Sequence, residues 1–239
     1  GKEVSPLAEP ECAVSSAQES LAVSIRRYAW PLVPLAIFGW LNGMGDRYII
    51  AGILNMAEIG LYAAAFGLAS RPFLMMAGII ELTLRPVLQN AIATGNKMGI
   101  EVAKRRMLLA MVGGSVLGVI GFVLFSELAT RLFLAEQYRT AVDLMPWIAL
   151  GYALYVTSTV YSRFCYAFDA TGSVLSLTVV SSLAGIAVLV PLAIRFGLTG
   201  AVFAVPVRFA IELVLARMYS RRAEDTYLAR QLVVRDAGS

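Results

Sequence analysis

The sequence predicts an all-α membrane protein, a polytopic bundle of six transmembrane helices, and two observations support this prediction. Of 239 residues, 59% are apolar and 15% are charged, and the mean hydropathy of +0.73 lies far above that of an ordinary soluble domain. The apolar residues also fall into long runs, and a transmembrane helix needs about 20 such residues to cross roughly 30 Å of hydrocarbon. Charged residues, glycines and prolines divide the chain into six runs of that kind.

The runs define the expected spans. These are residues 28–53, 59–88, 107–131, 143–168, 173–194 and 198–219. Three connections are very short, so the helices that they join should be antiparallel neighbours. The two longer connections are residues 89–106 and 132–142.

The segments on either side of the 28–219 transmembrane region are polar. Residues 1–27 are rich in Ser, Ala and Glu and lack the apolar core of a secretory signal, so we expect a disordered leader or linker. We expect residues 220–239 to form a basic cytoplasmic tail. Because the chain opens on Gly1 rather than Met, we also expect it to be a piece of a longer polypeptide or to have a processed terminus.

The distribution of basic residues predicts the orientation, because cytoplasmic loops carry the excess of Lys and Arg. Six spans place eleven basic residues on one side: Lys2, Arg26, Arg27, Lys97, Lys104, Arg105, Arg106, Arg221, Arg222, Arg230 and Arg235. The other side has only Arg139 and Arg195, with Arg131 at a helix end. Both termini should therefore be cytoplasmic. These basic residues suit an anionic membrane leaflet, and we expect no nucleic acid partner.

Several kinds of chemistry find no support in the sequence. The chain has no histidine, and Cys12 and Cys165 lie in unlike settings, so neither a zinc site nor a disulfide framework is indicated. The sequence contains no GxxxxGK[ST], HExxH or GxSxG motif. We therefore expect no cofactor, no metal and no enzymatic activity.

Charged residues inside the expected spans are the strongest functional signal. Each costs about 2.5 to 3.5 kcal/mol near the centre of a membrane on insertion scales, so such residues usually face a bundle interior or a watery cavity. Besides Glu127, Arg131, Asp143 and Arg217 at or near span ends, the spans contain five arginines, Arg47, Arg71, Arg85, Arg163 and Arg208, and three carboxylates, Asp46, Glu81 and Glu212. The arginine surplus favours a cavity that receives an anion, because guanidinium groups bind phosphate oxygens in a bidentate manner. The alternative is that all five arginines pair with carboxylates on helices outside this chain.

Spacing separates these charges. Glu81 and Arg85, like Glu212 and Arg208, are four residues apart and share a helix face. Adjacent residues on a helix point about 100° apart, so Asp46 and Arg47 should each contact another helix or a ligand. The deep residues Asp46, Arg47, Arg71 and Arg208 are therefore candidate substrate-binding residues. Arg85 and Arg163 lie near helix ends, where a long side chain can reach the interface.

The fourth expected helix carries a face of hydroxyl groups. It comprises Tyr152, Tyr155, Thr159, Ser162 and Tyr166. Their steps of three and four residues place them on one side of the helix. Such a face suits sugars, and Tyr155, Thr159 and Ser162 are candidate substrate-binding residues. Hydroxyl groups also join helices within membranes, so this pattern alone leaves both interpretations open.

Two stretches resemble a known family. PLVPLAIFGWLNGMGDRYIIAGILNMAEIGLYAAAFGLA, residues 31–69, with its Asp-Arg-Tyr-Ile-Ile block, resembles the start of the C-terminal half of bacterial polysaccharide flippases. These are the O-antigen and capsule exporters of the multidrug/oligosaccharidyl-lipid/polysaccharide exporter superfamily. AFDATGSVLSLTVVSSLAGIAVLVPLAIRFGLTGAVFAV, residues 167–205, resembles their closing helix pair.

The resemblance implies a multi-pass protein of the bacterial cytoplasmic (inner) membrane that flips an undecaprenyl-pyrophosphate-linked oligosaccharide by alternating access. It also implies an arginine-lined central cavity. That family has two six-helix lobes, and this chain supplies one, so the expected partners are the lipid-linked oligosaccharide, membrane lipids and a second lobe. The second lobe would belong to the same full-length chain or to another copy.

Two other functions remain open at this stage. A cation-coupled multidrug exporter of the same superfamily would more naturally show surplus carboxylate in its cavity. A non-transporting membrane subunit or a membrane-embedded glycan enzyme is the other alternative. A glycan polymerase or ligase typically needs a large outer loop, and the expected spans leave none.

Overall fold

The computed structural model describes residues 32–167 and 171–237, and every regular element in these two ranges is helical. The elements are α1 (Leu32–Ala51), α2 (Met56–Ala93), α3 (Lys97–Phe133), a 3-10 helix (Glu136–Asp143), α4 (Met145–Ala167) and α5 (Thr171–Ala237). The all-α prediction is confirmed for these ranges. The expected leader, residues 1–27, lies outside them.

The last helix, α5, consists of two arms that meet at Gly197. The φ and ψ angles of Gly197 are 60° and −140°, which no α-helix contains. A β-carbon at Gly185, in the arm 171–196, would lie 2.7 Å from Cδ of Arg208, in the arm 198–237. Residues so far apart in sequence meet in this way only if the chain reverses near Gly197, so the two arms form an antiparallel pair.

Gly197→Ala should lower the free energy of unfolding by about 1–3 kcal/mol, because a β-carbon disfavours this positive φ. Thermal unfolding in detergent would measure the effect. Gly121→Ala is the matched control: this position is inside α3 and has nothing within 4 Å of an added β-carbon. The control should be neutral or stabilising by up to about 1 kcal/mol. Equal stability of both variants would contradict the strain at Gly197.

Three helical segments in the described ranges are long and apolar enough to cross a membrane. They are Met56–Ala93, Lys97–Phe133 and Gly172–Glu224. The third contains the reversal at Gly197, and its 53 residues are long enough for two crossings. The chain is therefore a membrane protein. α1 and α4 are not among these segments, so the six exact spans and the cytoplasmic termini stay predictions.

The connection expected over residues 89–106 is much shorter in the structure, because α2 runs to Ala93 and α3 begins at Lys97. Gly95 has a φ of 64° and donates its N–H to the carbonyl oxygen of Ile92, and this turn ends α2. The side chain of Asn96 then accepts the N–H of Gly99 at 2.9 Å and caps α3. The expected tail, residues 220–239, is helical as far as Ala237, and its cytoplasmic position stays a prediction.

Packing is uneven across the bundle. The apolar core joins α2, α4 and the second arm of α5, and its largest fully buried side chains include Tyr62, Phe73 and Phe164. The most apolar window of α3 is only 11% buried, so most of that helix is available to lipid. α1 contacts α5 and α2 at one edge of the bundle. This arrangement leaves a polar cavity between α1, α2 and α4.

Candidate functional site

A cavity of about 800 Å³ lies between α1, α2, α4 and both arms of α5. Its lining includes three arginines, Arg47, Arg71 and Arg163, and one carboxylate, Glu212. The hydroxyl-bearing residues Tyr155, Thr159 and Ser162 line it as well. Five of the seven predicted substrate-binding residues therefore share one cavity. Asp46 and Arg208 do not line it but border a much smaller space beside it.

Arg47 lies on the α1 wall of the cavity. Its guanidinium carbon is 5.0 Å from the centre of the Phe66 ring on α2, within the range of a cation–π contact. Its Nη1 atom is 3.4 Å from the sulfur of Met44, a weak acceptor. Its Nε atom is buried and has no hydrogen-bond partner among the described residues. A buried donor without a partner favours binding of an acceptor that enters the cavity.

Arg71 lies on the α2 wall and is exposed. The structure gives its side chain no hydrogen bond or ion pair to any residue in the described ranges. Arg47 and Arg71 thus place two positive charges in the cavity without a carboxylate partner there. A guanidinium group without a carboxylate partner can bind phosphate oxygens.

Arg163 is the third arginine of the cavity, and it forms an ion pair with Glu81 on α2. Its Nε atom lies 2.7 Å from Oε1 of Glu81, and its Nη2 atom donates to Oε2 at 3.1 Å. The predicted pair of Glu81 with Arg85 is also present, with Nη1 3.6 Å from Oε1. The sequence pattern suggested only the local partner and missed the stronger one on α4.

Asp46 is buried and bonds to another helix, as its adjacency to Arg47 predicted. Its Oδ2 atom accepts a hydrogen bond from the hydroxyl of Tyr62 on α2 at 2.8 Å, and its Oδ1 atom accepts the backbone N–H of Arg47 at 2.9 Å. This places the carboxylate within the packing between α1 and α2. Asp46 does not line the 800 Å³ cavity, and its role in substrate binding stays a prediction.

Arg208 donates through Nη2 to both the backbone oxygen and the side-chain oxygen of Asn42 on α1. The amide of Asn42 donates in turn to Glu212 at 3.4 Å, and the hydroxyl of Ser158 on α4 donates to Glu212 at 3.2 Å. Glu212 was expected to neutralise Arg208 across one helix turn. Asn42 instead contacts both groups, and together these residues connect α1, α4 and α5.

The hydroxyl face of α4 lies on the cavity as the spacing predicted. Thr159 donates its hydroxyl to the carbonyl of Val156 at 2.7 Å, and Ser162 donates to the carbonyl of Ser158 at 3.4 Å. Their hydroxyl hydrogens are therefore used within the helix, which leaves oxygen lone pairs as acceptors for a ligand. The Tyr155 ring packs on Phe209 at 4.9 Å between centroids. Aromatic rings and hydroxyl acceptors together suit the faces and hydroxyl groups of sugars.

Sequence reasoning missed Asn42 as a functional residue. Asn42 has no charge, and the glycines around it suggest a bend in the helix, which says nothing about the Asn42 side chain. One signal was available: Asn42 is four residues before Asp46, so the two share the inner face of α1.

Together, the fold and the cavity define a helical membrane protein with a cationic, hydroxyl-lined interior, which suits an anionic, sugar-bearing ligand. Comparison with known families agrees with this class. The polysaccharide biosynthesis protein family matches residues 14–143, more than half of the chain. The chain belongs to this family and is a membrane protein of polysaccharide biosynthesis. No curated protein and no solved structure matches it.

Proposed function

We propose that the chain is one lobe of a flippase that moves an undecaprenyl-pyrophosphate-linked oligosaccharide across the bacterial cytoplasmic membrane by alternating access. The observation that carries the proposal is the pair Arg47 and Arg71, which line one cavity from two helices without a carboxylate partner in the described ranges. A pyrophosphate offers the multiple oxygens that two guanidinium groups bind. The hydroxyl face of α4 supplies acceptors for the glycan.

A second lobe completes the cavity in this proposal. Arg71 on its rim is exposed, and Met75 beside it on α2 is 70% exposed. Gly39 and Gly43 on the α1 rim have nothing within 4 Å of an added β-carbon. A cationic rim facing hydrocarbon is unfavourable, so protein should cover this side. The covering lobe belongs to the full-length chain or to another copy.

Transport without covalent chemistry distinguishes this proposal from a glycan enzyme. The full-length protein should therefore catalyse no glycosyl transfer when purified with a lipid-linked glycan. A cation-coupled drug exporter is the other alternative, and Glu212 in the cavity lining is the one group that favours it. Three lining arginines against that one carboxylate favour an anionic substrate instead.

Arg47→Ala and Arg71→Ala, made singly in the full-length protein, should each reduce export of surface polysaccharide by about tenfold or more, because each loses charged hydrogen bonds to the pyrophosphate. Export is measured by complementing a deletion strain and quantifying surface glycan at equal membrane abundance of the variants. Arg131→Ala is the matched control, since that arginine is 66% exposed and pairs only with Glu127 among the described residues.

The control should export normally. Normal export in both cavity variants would contradict the proposed role of the cavity. Altered drug susceptibility with normal surface polysaccharide would instead favour the drug exporter.

A further inference from the structure

Arg163 belongs to two groups of residues at once. Its side chain lines the 800 Å³ cavity together with Arg47 and Arg71. It also holds Glu81 through two nitrogens, with Nε 2.7 Å from Oε1 and Nη2 donating to Oε2 at 3.1 Å. Glu81 is not part of the cavity lining and borders a separate space on α2. Arg163 therefore stands between a carboxylate outside the cavity and any ligand inside it.

Glu81 has a second arginine within reach. Arg85, one turn further along α2, places Nη1 3.6 Å from Oε1 of Glu81, and its side chain is 52% exposed. Arg85 borders the space on α2 and is absent from the cavity lining. Both arginines lie within ion-pair distance of Glu81, and the three charges sum to one positive charge, so Glu81 keeps an arginine partner if Arg163 leaves it.

We propose that Arg163 exchanges partners: it pairs with Glu81 when the cavity is empty and binds the pyrophosphate of the ligand when the cavity is filled, while Arg85 closes on Glu81. This exchange rests on the proposed function for its ligand. It makes Arg163 a third anion-binding residue. It also makes Arg85 a positioning residue that acts through Glu81 without touching the ligand.

The presence of Arg85 makes the exchange favourable. Removing one partner of a half-buried ion pair is normally costly because the other charge is left alone. Here the side chain of Glu81 is 22% exposed, so an unpaired carboxylate would be poorly solvated. Arg85 needs to move less than 1 Å to reach the usual distance of a charged hydrogen bond, about 2.7–2.9 Å. The departure of Arg163 therefore leaves no unpaired charge.

The exchange also links binding to the packing of two helices. Glu81 and Arg163 form the ion pair that connects α2 with α4 in the described ranges. When Arg163 binds the ligand, that connection is lost, whereas Arg85 and Glu81 lie on the same helix and connect nothing else. Ligand binding thus removes the ion pair between α2 and α4, and a ligand that binds better without this pair shifts the equilibrium toward conformations that lack it.

The exchange is tested by calorimetry. The full-length protein is purified in detergent and titrated with inorganic pyrophosphate. Arg163→Gln should weaken binding about tenfold, the effect of losing a charged hydrogen bond. Arg85→Gln should weaken binding about threefold, because Glu81 then retains Arg163. Glu81→Gln should strengthen binding about threefold, because it releases Arg163; misfolding cannot produce that gain.

The double variant Glu81→Gln/Arg163→Gln separates exchange from a general effect of charge. Exchange requires the gain from Glu81→Gln to disappear when Arg163 is absent, which is the coupling that a double-mutant cycle measures. Glu127→Gln on α3 controls for the loss of one carboxylate, because the side chains of Glu127 and its partner Arg131 are 74% and 66% exposed. This control should leave binding unchanged.

Four results would overturn the proposal. If Glu81→Gln strengthens pyrophosphate binding equally with and without Arg163, the gain comes from removing a negative charge near the cavity and not from exchange. If Glu81→Gln weakens binding, Glu81 only holds Arg163 in place. If Arg71→Ala abolishes pyrophosphate binding while the three variants leave it unchanged, the exchange fails and the proposed function stands. If pyrophosphate does not bind the unmodified protein, both fail together.

Discussion

Replacing Arg208 with methionine should lower the free energy of unfolding by about 3 kcal/mol, whereas Arg71→Met should leave it nearly unchanged. The guanidinium of Arg208 donates to two oxygens of Asn42, and Glu212 lies one turn away on the same helix. Methionine removes these charged hydrogen bonds, each worth about 1.5–3 kcal/mol, and leaves the Asn42 oxygen and the Glu212 carboxylate poorly compensated. Arg71 has no such partner among the described residues.

Thermal or denaturant unfolding of the full-length protein in detergent provides the measurement. Arg208→Lys should recover part of the loss, because an ammonium group can still donate to Asn42, although without the planar geometry of a guanidinium. Equal stabilities of the Arg208 and Arg71 variants would show that Arg208 does not join α1 to α5. In that case Arg208 would be free to bind substrate, as the sequence predicts.

Tyr152→Ala should lower the free energy of unfolding by about 3–5 kcal/mol, the usual range for removing a buried aromatic ring. The Tyr152 ring lies 5.2 Å from Phe66 on α2 and 5.5 Å from Phe209 on α5, measured between centroids, and the residue is only 7% exposed. It fills the junction of three helices and lines the cavity. Its loss leaves a void that the neighbouring rings cannot fill without moving.

Two matched substitutions show whether packing is the cause. Tyr48→Ala on α1 removes the same side chain where it is 67% exposed, and it should change the stability by less than about 0.5 kcal/mol. Tyr152→Phe keeps the ring and should be nearly neutral, because no described residue accepts a hydrogen bond from the Tyr152 hydroxyl. A large loss in Tyr152→Phe would assign the effect to the hydroxyl group instead.

The sequence predicted the parts of the site that depend on periodicity within one helix. Tyr155, Thr159 and Ser162 line the cavity because steps of three and four residues place them on one face of α4. The pair of Glu81 and Arg85 follows from the same geometry. Arg47 and Arg71 were predicted because an unpaired charge is unfavourable inside a membrane, and both line the cavity.

Contacts between distant segments were not predictable in this way. Arg163 and Glu81 are 82 residues apart, and Arg208 and Asn42 are 166 apart, so no local pattern connects them. Sequence spacing paired Glu212 with Arg208 and could not show that the side chain of Asn42 would lie between helices α1 and α5. The long connection expected over residues 89–106 failed for a local reason, because the Gly95 and Asn96 caps that shorten it were not recognised.

By itself, the sequence determined that this protein is a helical membrane protein with a surplus of arginine in its interior, because composition and 3.6-residue periodicity are properties of single segments. Only the tertiary structure decided which of those arginines face the cavity and which join helices. Arg71 lines the cavity and Arg208 contacts Asn42, although both residues are far from the ends of their expected membrane spans. The difference arises from which neighbouring helix each one meets, and that depends on how the whole bundle packs.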